Sequence, residues 1–213
     1  MNNEDIIFQL EKNENEAKQN VETILHNTNS EIFKNLYEFW QNFDRESAIV
    51  EMLNAFKQNI TSFWTNPRFN KDLSKKFNMI LLSHGGVYGG ELEAFAINFQ
   101  NGKKELLTLE ITDERYDYLD NISSLEAFII HPLSDFTMKI QGEENNFDDW
   151  DDLMTMYTLY EATAHILAHK VFSIANKENI LQSNFNIEKP FYMAISEHDS
   201  GIPDKIIYQI PVV

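Results

Sequence analysis

An α+β fold is predicted, with N-terminal helices followed by a mainly antiparallel sheet of about six strands and one long amphipathic helix packed on it. Three features of the sequence lead there. Apolar residues recur at three- and four-residue steps through the first 65 positions, the period turns to alternation from residue 77, and a long helical stripe returns after residue 150. With 213 residues, 43% of them hydrophobic, the chain can bury a full core. Residues 1–213 therefore read as one domain, with 1–70 as a candidate helical subdomain docked on the rest.

In the first helix Ile6, Ile7, Leu10, Ala17, Val21, Ile24 and Leu25 share one face, as far as residue 26. Ser30 suits the N-cap of a second helix, whose stripe is Ile32, Phe33, Leu36, Tyr37, Trp40 and Phe43. A third carries Ile49, Met52, Leu53, Phe56 and Ile60 and stops at Asn66-Pro67. Helical spacing alone explains this aromatic crowding, so it reads as core.

Asn78 to Ser83 is a short apolar strand, and the loop after it holds Gly85, Gly86, Gly89 and Gly90, four of the seven glycines. Phe95, Ile97 and Phe99 form the next strand, and Asn101-Gly102 before Leu106, Leu107, Leu109 and Ile111 predicts a hairpin. Apolar residues on both hairpin faces call for cover on both sides, at least in part. Ser123-Ser124-Leu125-Glu126 has capping-box spacing and suggests a short helix ending before Pro132, with a strand as the alternative. Phe136, Met138 and Ile140 alternate as a strand. The long helix follows, with Asp148, Asp149, Asp151 and Asp152 at its positive end and the stripe Leu153, Tyr157, Tyr160, Ala164, Ala168, Val171 and Ala175. A final hairpin pairs Phe191, Met193 and Ile195 with Ile206, Tyr208 and Ile210 around Asp199-Ser200-Gly201.

Charge narrows the function. Against 34 acidic residues stand 17 basic ones, a net charge of -17, which argues against binding nucleic acid or an anionic membrane surface. No apolar run approaches the roughly 20 residues that span a bilayer. The segment from Met1 to Phe8 has neither a basic nor an apolar targeting region, so the expected location is the cytoplasm. Without cysteine there are no disulfides, thiolate metal sites or cysteine nucleophiles.

Two constellations could carry chemistry. Glu161, His165 and His169 follow one another at four-residue steps, forming a row beside the apolar stripe of the long helix. Two histidines at that spacing can ligate one Zn²⁺, with Glu161 as third ligand and His198 or Asp199 near the last turn as a fourth. The row lacks the glutamate that follows the first histidine in zinc-protease helices. Ser83-His84-Gly85-Gly86 could present backbone N–H groups to an anion, but it runs into a strand, not a helix, and there is no Gly-x-Ser-x-Gly elbow. It reads as a strand connection.

The acidity is concentrated. From Leu106 to His169 there are 14 acidic residues and two basic ones, a net of -12. Asp113, Glu114, Asp117 and Asp120 surround Tyr116 and Tyr118, while Asp148, Asp149, Asp151 and Asp152 surround Trp150. Acids mixed with aromatics suit an interface for a basic protein partner, the charge speeding encounter and the rings anchoring it. The leading expectation is accordingly a non-enzymatic binding protein without cofactor, an inhibitor or immunity-type protein for a basic partner. The alternative is a zinc-dependent hydrolase built on Glu161, His165 and His169.

Overall fold

A computed structural model describes residues 1–69, 72, 74–99, 108–111, 116–120, 122–141, 150–198 and 203–212. Three helices open the chain: α1 (Asn3–Leu25), α2 (Glu31–Asn42) and α3 (Arg45–Asn59), the last continued by a π-helical turn, Ile60–Trp64. Each starts on a polar side chain that takes up an orphaned backbone N–H. Asn2 and Asp5 form a reciprocal capping box, Ser30 accepts from Phe33 N–H as its position predicts, and Asp44 accepts from Ser47 N–H.

A seven-stranded sheet follows. Its strands are β1 (Phe77–His84), β2 (Glu91–Asn98), β3 (Glu110–Ile111), β4 (Asp117–Tyr118), β5 (Leu125–Ile129), β6 (Ile187–Glu197) and β7 (Asp204–Ile210). The order is β3-β7-β6-β1-β2-β4, with β5 also on β2; β1 and β6 run parallel and every other pair is antiparallel. Between β5 and β6 lie α4 (Leu133–Ile140), α5 (Trp150–Lys177) and α6 (Ile180–Asn184). The α+β class and the mainly antiparallel sheet agree with the sequence, as does the final hairpin, where Met193 faces Tyr208. Its turn at 199–202 lies outside the described residues.

The sheet curls. Tyr116, just before β4, gives its hydroxyl to the Asp204 carboxylate on β7, with β2, β1 and β6 lying between the two strands in the sheet order. The central strand β1 is buried along nearly its whole length. Among the described residues, no helix is long and apolar enough to cross a membrane.

Three local expectations give way to tertiary contacts. Of the strand predicted after Asn101-Gly102, the described residues Glu110 and Ile111 join β7 and not β2, which is hydrogen-bonded to β1 on one edge and to β4 and β5 on the other; Leu106 and Leu107 lie outside the described residues. The Asn101-Gly102 turn itself lies outside the described residues. Residues 125–129 form a strand and not a capped helix. Ser124 donates its hydroxyl to Glu93, and the β5 carbonyls of Glu126 and Ala127 accept from the side chains of Trp64 and Asn59. Residues 133–140 are helical, because Leu133, Phe136 and Ile140 are the buried set and Met138 is 63% exposed. Their spacing of three and four is a helical period, which the alternation of 136, 138 and 140 conceals.

Helix α5 is the axis of the molecule. Apolar residues from Ile6 to Ile210 form one continuous core around it, and seventeen of its residues, from Leu153 to Ala175, are buried, far more than one stripe. A polar chain ties it to the N-terminal helices: Thr163 donates to Glu14 (2.5 Å) and accepts from Trp40 Nε1 (2.8 Å), and Arg45 pairs with Glu14 at 2.9 Å. Elsewhere the contact is aromatic. Phe56 meets Trp64, Phe128 and Phe172 at ring separations of 5.5 to 5.7 Å, so α3, the π turn, β5 and α5 share one ring cluster. Phe56→Ala should therefore lower unfolding stability by about 3–5 kcal/mol, read by denaturant titration.

At the start of α4, His131 Nδ1 lies 2.7 Å from Asp135 Oδ2, and this hydrogen bond raises the imidazole above its usual value. A group held more basic in the folded state stabilises fully below its unfolded pKa of about 6.5 and loses that contribution as pH rises through the folded value. The stability difference between the wild type and His131→Gln should thus shrink as pH is raised from about 6 to about 8.5 in parallel denaturation series.

Candidate functional site

Two features on opposite faces of the sheet meet near the end of β1. Side chains alternate along a strand, so Ile80, Leu82 and His84 point to one face and Leu81 and Ser83 to the other. The face of His84 is the one that α5 covers.

There His84 joins Glu161 and His165 of α5, and one ligand-capable atom from each lies within 4.8 Å of the others. All three are buried, the histidines to 2% and 3% exposure. Glu161 Oε1 stands 3.9 Å from His165 Nε2, beyond hydrogen-bond length, and its Oε2 is 3.5 Å from Lys205 Nζ on β7. Gly86 N–H donates to His84 Nδ1 at 3.1 Å. Nε2 of His84 and Nε2 of His165 have no hydrogen-bond partner among the described residues, although both are buried. Burial, reinforced by His165, pushes His84 down to about 4, and burial with Lys205 beside it also lowers His165. Both rings are neutral at pH 7.

Glu197, opposite His84 in the β1–β6 register, accepts from the Tyr157 hydroxyl at 3.1 Å. Burial raises both the Glu197 carboxyl and the Tyr157 phenol. The Glu197 carboxylate packs where Gly86 would carry a Cβ, and Gly86 has φ +64°, so the turn between β1 and β2 needs glycine for space and for conformation alike.

Of the row expected from sequence, Glu161 and His165 are in this cluster. His169 is not: its Nδ1 donates to the Ile207 carbonyl at 2.7 Å and its ring packs against Tyr208. His84 comes in from a distant strand; in sequence it stood out only within Ser83-His84-Gly85-Gly86, read as a strand connection with no tie to Glu161 or His165. His198 donates its backbone N–H to the His84 carbonyl at 2.9 Å, and Asp199 lies outside the described residues.

The other face carries a groove of about 600 Å³. Its wall includes Ser83, Tyr88, Glu91, Glu93, Phe95 and Tyr118, His84 and His198 also border it, and among the described residues the lining has two carboxylates and no lysine or arginine. Tyr88 is 83% exposed and Tyr118 54%, the latter edge-on to Phe95 at 5.7 Å. Of the predicted interface, Tyr118 lines the groove, Asp117 and Asp120 are exposed beside it in sequence, and Tyr116 is committed to Asp204. Trp150, Asp151 and Asp152 begin α5 and do not line it; Asp113, Glu114, Asp148 and Asp149 lie outside the described residues. Tyr88, Glu91 and Glu93 were missed because they fall before the acidic stretch and only the β2–β4 pairing brings Tyr118 to their face of the sheet.

Comparison of the chain with protein-family profiles, curated proteins and solved structures finds no match in any of the three.

A neutral imidazole that accepts at Nδ1 must carry its proton on Nε2. Long-range ¹H–¹⁵N spectra at pH 7 should show His84 as the Nε2–H tautomer; a protonated Nδ1 would mean that the Gly86 contact is not made.

Proposed function

We propose that this is a binding protein of the inhibitor or immunity type, which neutralises a basic protein by receiving lysine or arginine side chains in the groove beside β2. The observation that carries this reading is the groove's lining, where Glu91 and Glu93 join the exposed rings of Tyr88 and Tyr118 and, among the described residues, no lysine or arginine is found. A carboxylate pair attracts a cationic side chain, and aromatic faces hold a guanidinium by stacking and by cation–π attraction. The net charge of -17 adds long-range steering toward a basic partner and repels nucleic acid. Specificity for one partner would come from shape around the groove.

The test uses an arginine-rich peptide as probe, titrated calorimetrically at low and high salt. Binding should weaken at least about tenfold in a Glu91→Lys, Glu93→Lys variant and in Tyr118→Ala, and should fall with salt as exposed charge pairs are screened. An Asp151→Lys, Asp152→Lys variant should bind like the wild type. Equal losses in both double variants would show non-specific attraction to an acidic surface, and no binding to the wild type would refute the reading.

A further inference from the structure

We propose that His84, Glu161 and His165 form a binding site for one Zn²⁺-class ion, held between the end of β1 and the middle of α5. Two independent observations carry this. The first is convergence: His84 on β1 and Glu161 and His165 on α5, distant in sequence, bring two imidazoles and a carboxylate together, with one ligand-capable atom of each within 4.8 Å of the others. The second is that Nε2 of both histidines is buried without a hydrogen-bond partner among the described residues. Buried polar atoms in folded proteins are nearly always satisfied, so two orphans in one cluster point to an occupant between them.

The donor set selects the occupant's class. Two imidazole nitrogens and one carboxylate suit a borderline divalent ion better than calcium or magnesium, which prefer all-oxygen shells. Tetrahedral zinc with bonds of about 2.0–2.1 Å needs ligand atoms about 3.3–3.4 Å apart. Glu161 Oε1 and His165 Nε2, now 3.9 Å apart, would close by about half an ångström. Lys205 holds the other Glu161 oxygen at 3.5 Å and so leaves Oε1 turned toward His165. Three protein ligands leave a fourth position for water or another small ligand.

The site also has a built-in consequence for the groove. His84 now accepts from Gly86 N–H at Nδ1, which places its proton on Nε2. Ligation through Nε2 moves that proton to Nδ1, with no net proton gained or lost by the ring, and the Gly86 N–H must then turn away. Gly85 and Gly89 of the same turn line the groove, so loading the buried site should reshape that wall.

The experiment takes the untagged full chain, stripped with chelator and titrated with Co²⁺ as a spectroscopic stand-in, then with Zn²⁺ in competition. Expected are visible d–d bands of tetrahedral type saturating at one ion per chain, their loss on adding Zn²⁺, and a higher melting temperature with metal. His84→Gln and His165→Gln should each lower affinity at least about tenfold, while His169→Gln should bind as the wild type does. In the wild type, Zn²⁺ should shift the ¹⁵N signals of His84 and His165 and move the His84 proton to Nδ1, a readout independent of how the variants fold. Absence of stoichiometric binding, leaving a single bridging water as the occupant, would overturn the proposal. So would binding that survives both glutamine variants at wild-type affinity, or that is lost only with His169.

Discussion

Protein surrounds the middle of α5, and each buried polar group there has given up water that the interior must replace. Tyr160 donates to the Leu36 carbonyl, Thr163 bonds Trp40 and Glu14, His169 donates to the Ile207 carbonyl, and Glu161 lies beside Lys205. These contacts reach α1, α2 and β7, so the solvation of one helix dictates how the surrounding elements are placed. The same requirement makes the Nε2 atoms of His165 and His84 stand out, being the buried side-chain nitrogens or oxygens without a hydrogen-bond partner among the described residues.

The sheet turns this central helix into a two-sided arrangement. Strand β1 lies between β6 and β2 and is buried along nearly its whole length, yet its alternation sends His84 toward α5 and Ser83 toward the groove. Curling brings Tyr116 to Asp204 and gives the outer face a concavity where an open sheet would be flatter. The glycine turn between β1 and β2 touches both features. Gly86 hydrogen-bonds the His84 ring and packs against Glu197, while its neighbours Gly85, Tyr88 and Gly89 border the groove. A change on one side of β1 therefore has a short mechanical path to the other.

Much of this fold was legible where a single period runs long enough. The N-terminal helices, the Ser30 cap, β1, β2, the long helix and the last hairpin each follow from local spacing, because burying one face of a regular element demands that spacing. Short segments were not legible in this way. Residues 133–140 fit two periods until burial selects Leu133, Phe136 and Ile140, and residues 125–129 become a strand only because β2 pairs them on one edge and Trp64 and Asn59 close the other. Glu161 and His165 could be picked out as helical neighbours, but nothing in the order of residues ties His84 to them.

Composition and periodicity alone determine an acidic, cysteine-free α+β chain with one long amphipathic helix, since charge is a sum over residues and amphipathicity is a property of each element by itself. Which histidine stands beside Glu161, which carboxylates share a groove with Tyr118, and which edge each short strand takes were decided only by the tertiary structure. Those are contacts between residues tens of positions apart. They depend on strand order and register, and these are set by competition among all the elements for the same buried surface.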